Sequence, residues 1–216
     1  MSPMSRSSYL TLPSGRELNS ELIDKRSRFI AQLVHVDNER AADEFVEQIR
    51  ARHHDARHHV PAWILSDGRE RCSDDGEPRG TGGMPVLEVL RGAGLVDACC
   101  VVTRYFGGTL LGPGGLMRAY SGATNQVVQR AREEDAIVEM TLVTPVTCVI
   151  PYAVYGRVER LVQDNGGKIR DSIFMEDVQL NCVFRAGDEI AFIEAMRELA
   201  AGDELCSVGE SRFAEF

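Results

Sequence analysis

Twelve of the 20 glycines in this chain fall between Gly76 and Gly122, and that crowding constrains the fold more than any other feature. Without a Cβ, glycine reaches backbone conformations and close approaches denied to other residues, at a cost in chain entropy. A segment so rich in it must consist of turns, caps and tight backbone contacts between short regular elements. Two runs carry most of the signal, SDDGEPRGTGGMP at 73–85 and GGTLLGPGGLMRAY at 107–120. Asp-Gly, Glu-Pro and paired glycines make the first irregular. Pro113 and Gly114 open a helix that runs to about Arg132.

Around these runs the hydrophobic pattern alternates strands with helices. The opening residues read as a mobile tip followed by an edge or irregular segment. Residues 28–36 alternate as a half-buried strand. Asp37 or Asn38 can cap the helix after it, whose apolar face is Ala41, Ala42, Phe45, Val46 and Ile49. A strand ending near Leu65, a polar hairpin or loop over 66–71, a helix over 84–90 stopped at Gly92 or Gly94, and a buried strand over 97–103 follow. Past residue 137, residues 139–150 form a strand in which Pro145 calls for an edge position or a bulge. A helix opens at Pro151 with Val154, Val158, Leu161 and Val162 as its stripe, and stops at 165–167. A hairpin over 168–184 precedes a helix capped by Asp188, with Ile190, Ile193, Met196 and Leu199 inward. Residues 205–208 close as a strand, and Met140, Met175 and Met196 are expected to fill core gaps. The order β-α-β-β-α-β is a ferredoxin-like pattern. The expected fold class is α+β, with domains at 1–137 and 138–216.

Composition narrows the class of partner. With 44% hydrophobic and 26% charged residues the chain of 216 can bury a core, and no run is long and apolar enough for a membrane helix. The net charge of −9 disfavours non-specific attraction to nucleic acid or lipid. The acidity is uneven: residues 1–137 hold 17 basic and 19 acidic side chains, residues 138–216 hold 7 and 14. A local basic site in the first part is therefore open. The six cysteines show no CxxC spacing and read as reduced, buried thiols. With no apolar signal core at the start, a cytoplasmic location is expected.

The glycine runs can turn backbone amides onto an anion, through Gly80, Thr81 and Gly83 in the first and Gly107, Gly108, Gly114 and Gly115 in the second. Tight architectural turns are the competing reading. Neither run is a Walker A loop or a GxGxxG dinucleotide fingerprint, so no nucleotide cofactor is expected. Arg104 ends an apolar strand immediately before Tyr105 and Phe106. A guanidinium beside an aromatic ring can clamp phosphate and stack on bases, and Arg57, Arg79, Arg118 and Tyr120 can join it. Alternatively Arg104 pairs with Asp74 or Asp75. A catalytic alternative combines His58 with Ser73, Asp74, Asp75 and Glu77 as acid–base groups. The acids lack a calcium-loop spacing, and His53, His54, His58 and His59 lack a zinc spacing, so no metal is expected.

The segments ARHHVPAW, SDDGEPRGTGGMP and VVTRYFGGTLLGPGGLMRAY resemble the signatures of the IMPACT family in its bacterial, YigZ-like two-domain branch. GLVDACCVVTRYFGGTLLG is similar to that family's long recognition pattern. The resemblance implies a first domain like the second domain of ribosomal protein S5, containing a βαβ arrangement. It implies a second, ferredoxin-like domain similar to one in a translation elongation factor. It also implies a non-enzymatic, cytoplasmic binding or regulatory protein whose partner is RNA, the ribosome or a translation-related protein, with no membrane role. The alternatives are a hydrolase or transferase acting on a small phosphorylated or peptide-like substrate through His58 and the 73–77 loop, and a protein–protein regulator acting through the acidic second domain.

Overall fold

The computed structural model describes residues 7–216, and the tip expected to be mobile lies at residues 1–6, outside the described residues. The described residues divide into two compact units, Tyr9–Val138 and Glu139–Phe216, with Ser7 and Ser8 grouped with the second.

After β1 (Ser8–Thr11), which straddles the division between the units, the first unit contains β2 (Glu17–Asp24), β3 (Ser27–His35), α1 (Glu39–Arg52), β4 (His58–Ile64), β5 (Glu70–Cys72), α2 (Gly83–Ala93), β6 (Ala98–Tyr105) and α3 (Pro113–Glu133). Its five-stranded sheet has the order β2-β3-β6-β4-β5, every neighbour antiparallel. β3 and β4 flank β6 and run parallel to each other, so β3-α1-β4 is a split βαβ crossover. Alternation along β6 sends Cys100 and Val102 toward α2 and α3, and Cys99 and Val101 toward α1 and Trp63. A strand covered on both faces needs an uninterrupted apolar run, and ACCVV supplies it. Burial pushes the Cys100 thiol up to about 12, which leaves it a small hydrophobe rather than a nucleophile. Asn38 caps α1, its Oδ1 accepting from the Ala41 amide at 2.9 Å. Gly94, at φ 71°, ends α2 in the left-handed conformation that favours glycine.

The second unit contains β7 (Val138–Ile150), a 3-10 turn (Tyr152–Val154), α4 (Tyr155–Asp164), β8 (Lys168–Phe174), β9 (Val178–Arg185), α5 (Glu189–Leu199), β10 (Cys206–Val208) and β11 (Arg212–Glu215). β8, β9, β7 and β10 lie side by side, all antiparallel, in the order of a ferredoxin-like sheet. Both helices cover one face, burying Val158, Val162, Phe192 and Met196 on Cys148, Leu180 and Phe184. The α+β class and the β-α-β-β-α-β order are those expected.

Several local expectations need correction. Of the edge position or bulge expected at Pro145, the edge does not hold, because β7 pairs with β9 on one side and with β10 and β11 on the other; the bulge does, because the register with those two strands shifts by one residue opposite Pro145. Its missing N–H is tolerated because its position faces the break between β10 and β11, where the Gly209 amide donates to the Pro145 carbonyl at 2.9 Å. Pro151 precedes the 3-10 turn, and α4 begins only at Tyr155. Asp188 makes no side-chain cap; the Gly187 amide donates instead to Glu189. Ile190 and Met175 are exposed, and Phe192 takes the buried place on α5. The thiols are not all reduced: the register sets Cys206 opposite Cys148, and the two form a disulfide.

The glycines are not equivalent, and two substitutions with opposite signs test the packing. A Cβ on Gly167 would overlap the fully buried ring of Phe184, whereas one on the α2 residue Gly92 meets open space. Gly167→Ala should destabilise the protein by about 1–3 kcal/mol through overpacking, and Gly92→Ala should stabilise it by about 0.5–1 kcal/mol through chain entropy. Urea denaturation of the two variants reads both.

Candidate functional site

The strand register collects the unusual residues at one end of the first unit's sheet. Across it, His58 on β4 stands beside Arg104 on β6 and Phe29 on β3. The two-residue β2–β3 turn, Lys25-Arg26, lies at the same end, joining the paired Asp24 and Ser27. The backbone of Gly107 packs so closely on Arg26 that no side chain fits there, and its amide donates to Ser27 Oγ at 3.1 Å. The 73–83 loop covers this end.

That loop is organised by its own carboxylates. Asp74 accepts from the Gly80 amide at 2.8 Å and from those of Gly82 and Gly83 at 3.0 and 2.9 Å. Burial works against the charged form of Asp74, but the three amides outweigh it and hold the carboxyl below the usual range. The converging amides expected to hold an external anion thus hold an internal one. Thr81 is buried, its hydroxyl donating to the Pro78 carbonyl at 2.6 Å. Asp75, left-handed at φ 43°, accepts from the His59 amide at 2.6 Å and from Arg50 at 2.9 Å.

Glu77 is the centre of the network. It is 8% exposed and accepts from Arg104 Nη1 at 2.8 and 3.1 Å and from the Tyr120 hydroxyl at 2.8 Å. Arg104, 6% exposed, therefore pairs with Glu77 rather than with Asp74 or Asp75. Its guanidinium also lies 5.6 Å from the ring centroids of Phe29 and Phe106. Burial and the adjacent Glu77 charge raise the Tyr120 pKa strongly, so its hydroxyl remains a donor. His58 Nδ1 bonds the Asp75 carbonyl at 2.8 Å, and Nε2 stands 4.0 Å from Glu77, beyond hydrogen-bond reach. Ser73 Oγ accepts from the Asp75 amide, and Cys72 contacts Met84. Among the described residues these side chains do not form a nucleophile–base pair with His58.

A second polar chain borders the first. The Tyr105 hydroxyl donates to Asp55 at 2.9 Å and meets His53 Nδ1 at 3.0 Å, while His53 Nε2 meets Gln32 at 3.0 Å. Burial and the Arg52 charge push the His53 pKa down.

Asp74, Asp75 and Glu77 turn inward, and the exposed charges left beside them are Arg57, Arg79 and Arg118 and the Tyr105-bonded Asp55. The Arg118 guanidinium folds back to Gly114 at the start of α3. Gly115 is buried against Leu111, and Gly108, at φ 83°, serves the loop's turn. Phe106, Leu110 and Met117 are exposed beside them. The sequence reading missed Lys25 and Arg26, both exposed and both left-handed, with φ of 45° and 69°. Such a turn favours Asn-Gly, so two cations here hold strained backbone, a feature that concentrates at functional sites. The available signal was a two-residue break, Lys-Arg, between two alternating stretches.

Two outcomes test the network. Arg104→Ala leaves Glu77 buried and unpaired and should cost about 3–5 kcal/mol; Tyr120→Phe should cost about 1.5–3 kcal/mol, with strong non-additivity in the double variant on chemical denaturation. For His53, a folded pKa below the unfolded value means its contribution is present above about pH 6.5. Stability should fall as pH drops below that value toward the folded pKa, and a thermal-melt series from about pH 7.5 to 5.5 should show a shallower decline in His53→Gln.

Comparison with known proteins places this architecture. Residues 25–128 match the model of the Impact N-terminal domain, and residues 148–203 match a domain of unknown function, DUF1949. The chain is 34% identical over 210 residues to IMPACT family member YvyE of Bacillus subtilis (strain 168), covering 96% of this chain and 94% of that one. It is 38% identical over 182 residues to IMPACT family member YigZ of Escherichia coli (strain K12), covering 82% and 87%. A solved structure, described as the crystal structure of a hypothetical protein, aligns with a TM-score of 0.61 at 33% identity over 98% of each chain. With an Impact N-terminal domain followed by DUF1949, and 38% identity to a relative across 82% of its length, the chain belongs to the IMPACT family.

Proposed function

We propose that the cationic end of the first unit binds RNA, and that the protein is a non-enzymatic regulator associated with the translation machinery. The observation that carries this reading is the sorting of charge. Asp74, Asp75 and Glu77 bond inward, whereas Lys25, Arg26, Arg57, Arg79 and Arg118 are exposed at the same end with the half-exposed ring of Phe106. Unpaired cations beside an exposed ring are the chemistry of single-stranded backbone contact and base stacking. The formal charge of −9 does not oppose this, since the acidic excess is mostly beyond residue 137.

The hydrolase or transferase alternative has less support. Glu77 is committed to Arg104 and Tyr120, Asp74 to three amides, and Ser73 to the Asp75 amide, so among the described residues none of these three side chains is hydrogen-bonded to His58. A regulator acting through the acidic second unit alone leaves the cationic end of the first unit without a role.

Fluorescence anisotropy with labelled single-stranded RNA, titrated between about 50 and 200 mM salt, tests the proposal. Affinity should fall steeply with salt. The triple variant Arg57→Ala, Arg79→Ala, Arg118→Ala should bind more weakly and flatten the log–log slope by about 0.7 for each phosphate it no longer neutralises. Replacing Lys25-Arg26 by Asn-Gly should weaken binding while stabilising the fold by about 1 kcal/mol or more. Salt-independent binding, or a triple variant that binds like the parent, would remove the proposed surface.

A further inference from the structure

Three aromatic side chains of the second unit gather at the turn between β8 and β9. Phe174 ends β8, and its ring centroid is 5.5 Å from that of Tyr155, the first residue of α4. The ring of Tyr152, in the 3-10 turn, lies 6.2 Å away on the same Phe174. The Tyr152 hydroxyl donates to the Met175 carbonyl at 2.7 Å, which fixes that ring against the turn. Packing covers little of this surface: Tyr152 is 53% exposed, Phe174 56% and Met175 66%. Large rings left half in water side by side form a patch of the kind that marks an interaction site.

The charges around the rings select the partner. Glu176 and Asp177 follow Met175 in the same turn, and Glu159 meets the Tyr155 hydroxyl at 3.5 Å. Among the described residues the one ion pair of this unit joins Arg197 to Glu204, so none of these three acids is paired. Residues 139–216 hold seven Lys and Arg against 14 acids, and four of the seven lie elsewhere. Lys168 and Arg185 sit over the Phe216 ring, and Arg170 and Arg212 line a cavity on the sheet face away from the helices. On α4, Glu159 is roughly 40° around the helix from Tyr155, whereas Arg157 and Arg160 are roughly 160° and 140° away. Aromatic rings also suit stacked bases, but phosphates brought beside three unpaired carboxylates are repelled. A guanidinium gains from both groups, lying on an aromatic face and donating to a carboxylate.

β8 supplies the shape of the partner. It is the edge of its sheet and, among the described residues, pairs only with β9. Its outer side therefore offers unpaired backbone groups to an extended segment, and such a segment ends its run at Phe174. We propose that the β8–β9 turn docks an extended, arginine-bearing segment of a partner protein. The segment lies along β8, with a guanidinium on Phe174 and Tyr152 and its charge met by Glu159, Glu176 and Asp177. The surface belongs to the second unit alone and does not rest on RNA binding by the first.

Fluorescence anisotropy of the full chain with a short labelled peptide alternating arginine and threonine tests the surface. The control peptide carries citrulline, the neutral counterpart of arginine, and should bind at least about tenfold more weakly. Tyr152→Leu/Phe174→Leu keeps apolar bulk but removes the ring faces, and should weaken the arginine peptide about tenfold. Glu176→Gln/Asp177→Asn should weaken it severalfold and reduce its salt dependence. Methylating the peptide's backbone amides should also weaken it, whereas the first-unit triple variant should bind it like the parent. No binding at millimolar peptide overturns the proposal, as does equal affinity for the citrulline or methylated peptide, or an aromatic double variant that binds like the parent. So does an oligouridylate that competes for the surface, which assigns it to RNA. A concentration-dependent dimer lost in the double variant overturns it too, assigning the surface to a second copy of the chain. If the leucine variant melts early, the carboxylate variant and the citrulline comparison decide.

Discussion

The carboxylate of Glu77 ties together parts of the first unit that are far apart in sequence. It receives Arg104 from the end of the central strand and Tyr120 from the first turns of α3, and it carries the 73–83 loop down onto both. An ion pair this buried is no strong source of net stability, because desolvation of both partners offsets much of the attraction. What it supplies is uniqueness: a loop of Gly, Pro and Asp has many conformations, and only one places Glu77 between a buried cation and a buried hydroxyl.

The same pattern governs charge in both units. At the 73–83 end of the first, Asp74, Asp75 and Glu77 are consumed by internal bonds and cations are left outside. In the second, with twice as many acids as bases, four cations nevertheless meet on one sheet face. Net charge therefore says little about the field at either surface. Local fields of opposite sign to the whole molecule attract a ligand at short range while the global charge repels non-specific encounters.

How much of this could be read in the sequence depended on whether the controlling interaction was local. β6 was legible because burial on two faces leaves an uninterrupted apolar run, and the Asn38 cap was legible because its partner is three residues away. The second unit's β-α-β-β-α-β order followed from periodicity alone. Pro145 was left between an edge and a bulge because its missing donor is visible in sequence, whereas the register shift between β10 and β11 that accommodates it is not. Arg104 was given Asp74 or Asp75 as its partner instead of Glu77, because the choice among neighbouring acids is made by backbone geometry. Cys148 and Cys206 are 58 residues apart and become partners only through register. Lys25 and Arg26 were missed because neither residue type favours the left-handed turn they occupy.

The Asp74 carboxylate inside its ring of glycine amides has a kinetic meaning. Where a glycine loop closes on an incoming phosphate, that closure is part of the binding step. Here the anion is supplied by the chain itself, so the loop reaches its final shape during folding. A molecule arriving at this end meets a finished surface, and little conformational entropy remains to be lost there. Association at this end is therefore limited by encounter and orientation, not by loop closure.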